Sequence, residues 1–340
     1  MDDLPRRQHS LLLAAIHEFI ATAQPVGSNQ LVARRSLGIR AAMVRNLMAE
    51  LNESGYLLQP HTSAGRVPTE RAFRYFVDHL NPRPIRFADR TQIELHYSAL
   101  ASDSTEVIRD TSRLLALMTG QAALVMAPRL ESVQLKQVQL LRLRKDEVLV
   151  IFVVATGSVH NRLVHTDSGY KQPDLDRMSG YLNESLSGRT LDEAREWIAE
   201  QLKQDRAMYD RFTRAALVMG GAIAREPSPE IYVEGSSNAL DQPEFADPAK
   251  MRELLRALDD KTALLDLLER ALAQNGLVVS IGAENFDARL SSLSVVASAY
   301  IGDTNPLGSL AVVGPVRMDY ERVIPLVTYT ARALSRALQH

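Results

Sequence analysis

Between Arg6 and Gly55 the chain spaces apolar residues helically three times over, with two short breaks between, and that order leaves few folds open. Leu12, Leu13, Ile16, Phe19 and Ile20 predict a helix over Arg6–Thr22. Ala23-Gln24-Pro25-Val26-Gly27 ends it. Ser28 reads as the N-cap of a short helix through Arg35, with Leu31 and Val32 facing inward. Leu37-Gly38-Ile39 reads as a tight turn. Val44, Leu47, Met48 and Leu51 then fall at i, i+3, i+4 and i+7, which predicts a third helix from about Arg40 to Ser54, stopped by Gly55. Tyr56–Gln59 reads as a strand and Pro60–Arg66 as a loop, closed by Val67-Pro68. A further helix spans Thr69–Leu80. Helix, helix, turn, helix, strand, loop is the order of a winged helix-turn-helix, and residues 1–80 are assigned to one.

Pro82 and Pro84 mark a linker, and Arg90–Met118 is helical in pattern. Ala122–Met126, Lys136–Leu143, Val148–Val154 and Val159–Val164 read as antiparallel strands of one sheet, with Lys145-Asp146-Glu147 as a hairpin turn. The pattern is helical from about Gly169 to Arg225, ended by Pro227 and Pro229. Ile231–Val233 reads as a strand, Pro248–Asn275 as helix, Leu277–Ile281, Leu293–Tyr300 and Ser309–Val313 as strands, and Tyr320–Leu338 as a last helix. The expected fold class is α+β and multidomain. Residues 81–168 and 227–340 form a body interrupted by a helical insertion at 169–226.

Cysteine is absent, which excludes disulfides, thiol nucleophiles and Cys-based metal sites together. No basic-then-apolar leader opens the sequence, and the longest apolar run, Val148–Ala155, is too short to span a bilayer. A cytoplasmic protein with no membrane partner is expected. Net charge is −2, but residues 1–80 carry nine arginines against seven acidic residues, while the remainder carries 30 basic and 34 acidic. A slightly basic head on an acidic body suits a nucleic-acid reader.

The third helix bears on function. With its apolar stripe buried, Arg40, Ala41, Arg45, Asn46 and Ala49 face outward. A helix fits the major groove, where Arg bonds guanine and Asn bonds adenine. Small Ala41 and Ala42 permit close approach to base edges. Arg34, Arg35, Arg71 and Arg74 are candidates for phosphate contacts. His61, Thr62, Ser63 and Arg66 would form the wing, with Gly65 permitting a sharp turn and Arg66 entering a minor groove or pairing with phosphate. Pattern alone leaves a second reading open, an amphipathic helix with a solvated Arg face and a polar hairpin loop.

Gln24-Pro25-Val26-Gly27-Ser28, Val44-Arg45-Asn46, the long block Gln59–Thr69 and Arg74-Tyr75-Phe76-Val77-Asp78 resemble signature blocks of the HrcA family of heat-inducible repressors. Ile281-Gly282-Ala283-Glu284-Asn285 and Gly314–Tyr320 resemble its C-terminal blocks, in order, so the resemblance spans nearly the whole chain. It implies a homodimer that binds an inverted-repeat operator of double-stranded DNA upstream of chaperone operons, represses them, and releases on heat shock. It also implies a GAF-like body with an inserted dimerisation domain, and a GroEL-type chaperonin that helps to hold the active form. The chain departs from the pattern at Arg40, Ala41 and Met43, where the family usually has Ser or Thr, and at Ala23, where it usually has Gly.

Other candidates carry less. Gly314–Tyr320 reads as a turn with an Arg–Asp pair in which Asp319 caps the last helix, and Glu284-Asn285 as a strand end. His160 and His165 lack metal-ligand spacing, and Gly220-Gly221 lacks a phosphate-loop context. With no nucleophile, metal set or cofactor loop, the expectation is a protein that is not an enzyme and needs no cofactor or metal. An alternative keeps the DNA-binding head and makes the GAF-like body a sensor of a small metabolite.

Overall fold

The computed structural model describes residues 4–34, 40–61, 64–81, 84–99, 104–128, 133–155, 157–166, 169–203, 211–221, 230–240, 242–274, 276–285, 287–302 and 306–338. Among these the chain is mixed α/β, with thirteen α-helices and three antiparallel sheets.

The head opens with α1 (Arg6–Thr22), α2 (Ser28–Arg34) and α3 (Ala41–Glu53). A two-stranded ribbon follows, β1 (Leu57–Leu58) and β2 (Val67–Pro68), and then α4 (Glu70–Asp78). The predicted apolar stripes are its core: Leu12, Ile16, Leu31, Val44 and Leu51 are fully buried. α1 ends on Ala23 in the left-handed region at φ 53, and α3 is followed by Gly55 at φ +76. Ser28 is the first residue of α2 rather than its cap, because the Leu31 amide bonds the carbonyl of Gly27.

The body is built on a five-stranded sheet of order β7-β3-β10-β9-β8, formed by β3 (Ala122–Met126), β7 (Ile231–Glu234), β8 (Leu277–Ile281), β9 (Leu293–Ile301) and β10 (Pro306–Pro315). α6 (Ser104–Thr119) and α13 (Tyr320–Ala337) cover one face, and α12 (Lys261–Ala273) with α11 (Pro248–Asp259) the other. Val125, Val296 and Val312 face the first helix layer, and Leu124, Val295 and Val313 the second. Helices on both sides explain why β3, β9 and β10 are apolar almost continuously instead of alternating. The predicted helix 248–275 breaks at Asp260, whose carboxylate accepts the amides of Thr262 and Ala263 and so starts α12. The predicted helix 90–118 is two helices, α5 (Phe87–Ala99) and α6.

One expectation is corrected by the sheet topology. The four runs from 122 to 164 do not share a sheet: β3 joins the body, while β4 (Leu135–Arg142), β5 (Glu147–Val154) and β6 (Val159–His165) form a separate three-stranded sheet. All five residues of β3 are buried, so it needs cover on two sides, whereas β5 alternates and has one core face. α7 (Gln172–Leu186) packs on that core face, followed by α8 (Leu191–Lys203) and α9 (Arg211–Gly220). Its side chains also close the β4 edge: Asn183 and Gln172 each bond backbone N–H and C=O groups of β4, and Ser179 accepts the Leu140 amide. Among the described residues, α7 packs against β4 and α9 against α7, so these helices are in contact with the small sheet.

Candidate nucleic-acid interface

α3 is set against α1 and α2 by Val44, Leu47, Met48 and Leu51. On its opposite side Arg40, Ala42, Met43, Arg45 and Asn46 are exposed, while Ala41 and Ala49 are half-buried at the flanks. Arg40 occupies the N-cap with extended backbone, and its side chain makes no cap bond. No described residue accepts a hydrogen bond from the guanidinium of Arg40 or Arg45 or from the Asn46 amide. Toward the other end Glu50 accepts from Gln8 of α1 at 2.7 Å, so negative charge is held at the C-terminal half of the helix. Polar and cationic groups without a partner among the described residues are thus gathered at the N-terminal half, where the helix dipole also favours an anion.

The ribbon is fixed beside α3 by contacts that sequence reasoning missed. Val26, in the loop between α1 and α2, pairs antiparallel with Arg66 through two backbone bonds of 2.9 Å. That approach explains Gly65: a Cβ there would lie 2.6 Å from the Val26 carbonyl group. Gly65 does not have the positive φ of the sharp turn expected for it; it serves close backbone contact instead. Arg66 donates to Asn52 Oδ1 at 2.9 Å, which ties the ribbon to the end of α3. His61 is exposed at the loop, and Gln59 Nε2 bonds the Ala64 carbonyl across its base. Thr62, Ser63 and Arg35 lie outside the described residues.

The phosphate candidates separate by partner. Arg34 donates to Glu18 at 2.6 Å; this carboxylate is buried in α1 and also accepts from Gln30. Glu18 interrupts the apolar side of α1 near Leu11 and Ala15, and a carboxylate in that position is the sequence signal for the pair. Arg71 donates to the Ser54 carbonyl at the end of α3 and lies over the Tyr56 ring at 4.6 Å. Arg74 faces the body. Its Nε donates to Glu284 at 2.8 Å, and its Nη2 donates to the Val279 carbonyl at 2.7 Å and pairs with Glu284. Glu284 holds the Arg74 guanidinium above its ordinary pKa. Arg74, named above as a phosphate candidate, thus has its fork engaged by Glu284 and by the Val279 carbonyl of β8.

The C-terminal blocks also differ from expectation in one pairing. Asp319 does cap α13, accepting the Arg322 amide at 3.3 Å. Arg317 pairs with Glu244 and Gln242 and donates to the Ile20 carbonyl of α1, so its partner is not Asp319.

The HrcA protein C terminal domain model matches residues 105–324. A heat-inducible transcription repressor HrcA of Geobacter sulfurreducens is 40% identical over 340 residues, covering 100% of this chain and 99% of the relative. The chain belongs to the HrcA family. The repressor HrcA of Sorangium cellulosum is 37% identical, with 98% of each chain covered. A crystal structure described only as that of a hypothetical protein matches this HrcA-family chain over 98% of its length and 97% of its own, at a TM-score of 0.64 and 23% identity, and shares its fold. The HrcA relatives are named as transcription repressors and not as enzymes. No helix among the described residues is long and apolar enough to cross a membrane.

Proposed function

We propose that this chain represses chaperone operons by binding an inverted-repeat DNA operator as a homodimer, through a winged helix-turn-helix at residues 1–80. The observation that carries the reading is the exposed N-terminal half of α3, where the side chains of Arg40, Arg45 and Asn46 take no hydrogen-bond partner among the described residues. Protein side chains that take no internal partner on a helix of major-groove width are available to base edges and phosphates. The relatives named as heat-inducible repressors support the same reading. The ribbon with its Val26–Arg66 pairing serves as the wing.

The five-stranded sheet with helices on both faces is read as the GAF-like body, and strands β4–β6 with α7–α9 as the inserted dimerisation unit. The outer face of that small sheet leaves Leu141, Leu149, Ile151, Val153, Val159 and Leu163 half-buried or exposed, an apolar surface suited to a second copy. A GroEL-type chaperonin is the expected modulator, and release on heating is the expected signal. Footprinting on an inverted repeat from a chaperone promoter tests the reading: protection of both arms by a dimer supports it, and protection of neither at any protein concentration overturns it.

One observation favours a metabolite sensor as second reading. A cleft of about 370 Å³ between α12 and the β8–β9 face mixes apolar Ala263, Leu267 and Val295 with polar Asp266, Gln274 and Ser280. A small ligand bound there would raise the melting temperature with concentration and shift operator affinity.

A further inference from the structure

Both body loops that carry the C-terminal family blocks end on the head. The loop after β8 grips α4. Its Glu284 pairs with Arg74, its Ala283 amide donates to Glu70 at 3.0 Å, and a Cβ at Gly282 would overlap the Glu70 carboxylate. Gly282 also has φ +56, so glycine serves twice there, for backbone conformation and for clearance. The loop after β10 grips the end of α1. Arg317 donates to the Ile20 carbonyl at 3.0 Å, and the Tyr320 ring packs against Phe73 with centroids 6.1 Å apart. Tyr320 is itself fixed, its hydroxyl donating to the Val316 carbonyl at 2.8 Å and sharing a second hydrogen bond with the Ser294 hydroxyl at 2.7 Å. Burial pushes its pKa upward, so it stays a neutral donor.

Two grips on two different helices remove the head's freedom to rotate about either one. Neither grip covers Arg40, Arg45 or Asn46, which stay exposed on another side of the head. The contact therefore does not block the base-reading face; it fixes where that face points. The ion pair in the first grip is only partly shielded, with Arg74 30% and Glu284 39% exposed. Such pairs add little to stability. Their removal frees the angle of the head without unfolding it.

We infer that Gly282, Glu284 and Arg317 are positioning residues for operator binding: by clamping the head to the body they make the homodimer read the spacing between the two arms of its inverted repeat. This rests on the homodimeric operator reading above. Each added base pair moves one arm by about 3.4 Å and turns it by roughly 35°. A clamped pair of heads cannot follow such a change, and a loosened pair can.

The test is an anisotropy titration of the full-length protein on inverted-repeat duplexes whose spacer is changed one base pair at a time over about half a helical turn. A duplex with a single arm is titrated beside them. Wild type is expected to peak at one spacing and to lose about a hundredfold within about two base pairs of it. Glu284→Gln and Gly282→Ala in one grip, and Arg317→Lys in the other, are expected to flatten that loss to less than about tenfold. All three should bind the single arm as wild type does. Arg317→Lys keeps a positive charge beside Glu244 but loses the planar fork. Variant profiles that superimpose on the wild-type profile overturn the inference. So does an equal loss at every spacing and on the single arm, since that marks damage to the head itself. A wild-type protein that prefers no repeat to a scrambled duplex would instead sink the operator reading beneath it.

Discussion

Two arginines at the start of α3 and four others in the head have opposite fates, although the sequence presents them alike. Arg40 and Arg45 are exposed at the start of α3 with no described partner. Arg34, Arg66, Arg71 and Arg74 each donate to a named acceptor within the fold, at Glu18, Asn52, Ser54 and Glu284. The first group stays free to bond a ligand, and the second holds elements together. Charge in a sequence window therefore overstates the cation supply for DNA; what counts is how many guanidinium groups remain unpaired after folding.

Substitutions sharpen that contrast. The largest effect is expected at Arg45: Arg45→Ala should weaken operator binding by about 1–3 kcal/mol with an unchanged melting temperature. An equal loss on operator and scrambled DNA would reassign Arg45 to the backbone. Gly65→Ala forces a Cβ against Val26 and should destabilise the head by about 1–3 kcal/mol, read as an earlier melting transition. Retention of full stability would contradict the close Val26–Arg66 pairing of the ribbon. Arg71→Ala should remove about 1 kcal/mol of stability, because it empties the contact at Ser54 and uncovers Tyr56. It should change operator affinity less than Arg45→Ala does. Arg40→Ser supplies the missing cap of α3 and should raise stability by about 0.5–1 kcal/mol while lowering the salt slope of binding by about 1. The smallest effect is expected at Ala23→Gly, a gain of about 0.5–1 kcal/mol, because Ala23 is the one described non-glycine residue with positive φ.

The head was legible because each of its devices is local. Helical spacing at Val44, Leu47, Met48 and Leu51 and a stop at Gly55 lie within a few residues of what they govern, and each appears at its expected position. The fate of each arginine was not legible, since Glu18 is 16 residues from Arg34 and Glu284 is 210 from Arg74. The separation of β3 from β4–β6 was not legible, because β5 is itself an unbroken apolar run in the sequence and only its burial in the fold alternates. That α7 would pack on β4 was not legible, since the small sheet precedes the helices in the chain and looks continuous with β3. The pairing of Arg317 with the head could not be seen either: Asp319 is two residues away and Ile20 nearly three hundred.

Whether α3 reads DNA is decided by a paired titration of the full-length protein. One labelled duplex carries an inverted repeat from a chaperone promoter, and the other is scrambled at equal composition, both at one near-physiological salt. The account predicts binding to the repeat roughly a thousandfold tighter, with Arg45→Ala removing a large part of that gap. Equal affinity of the folded protein for both duplexes would contradict the DNA-reading role of α3, and would leave its exposed face as a solvated surface.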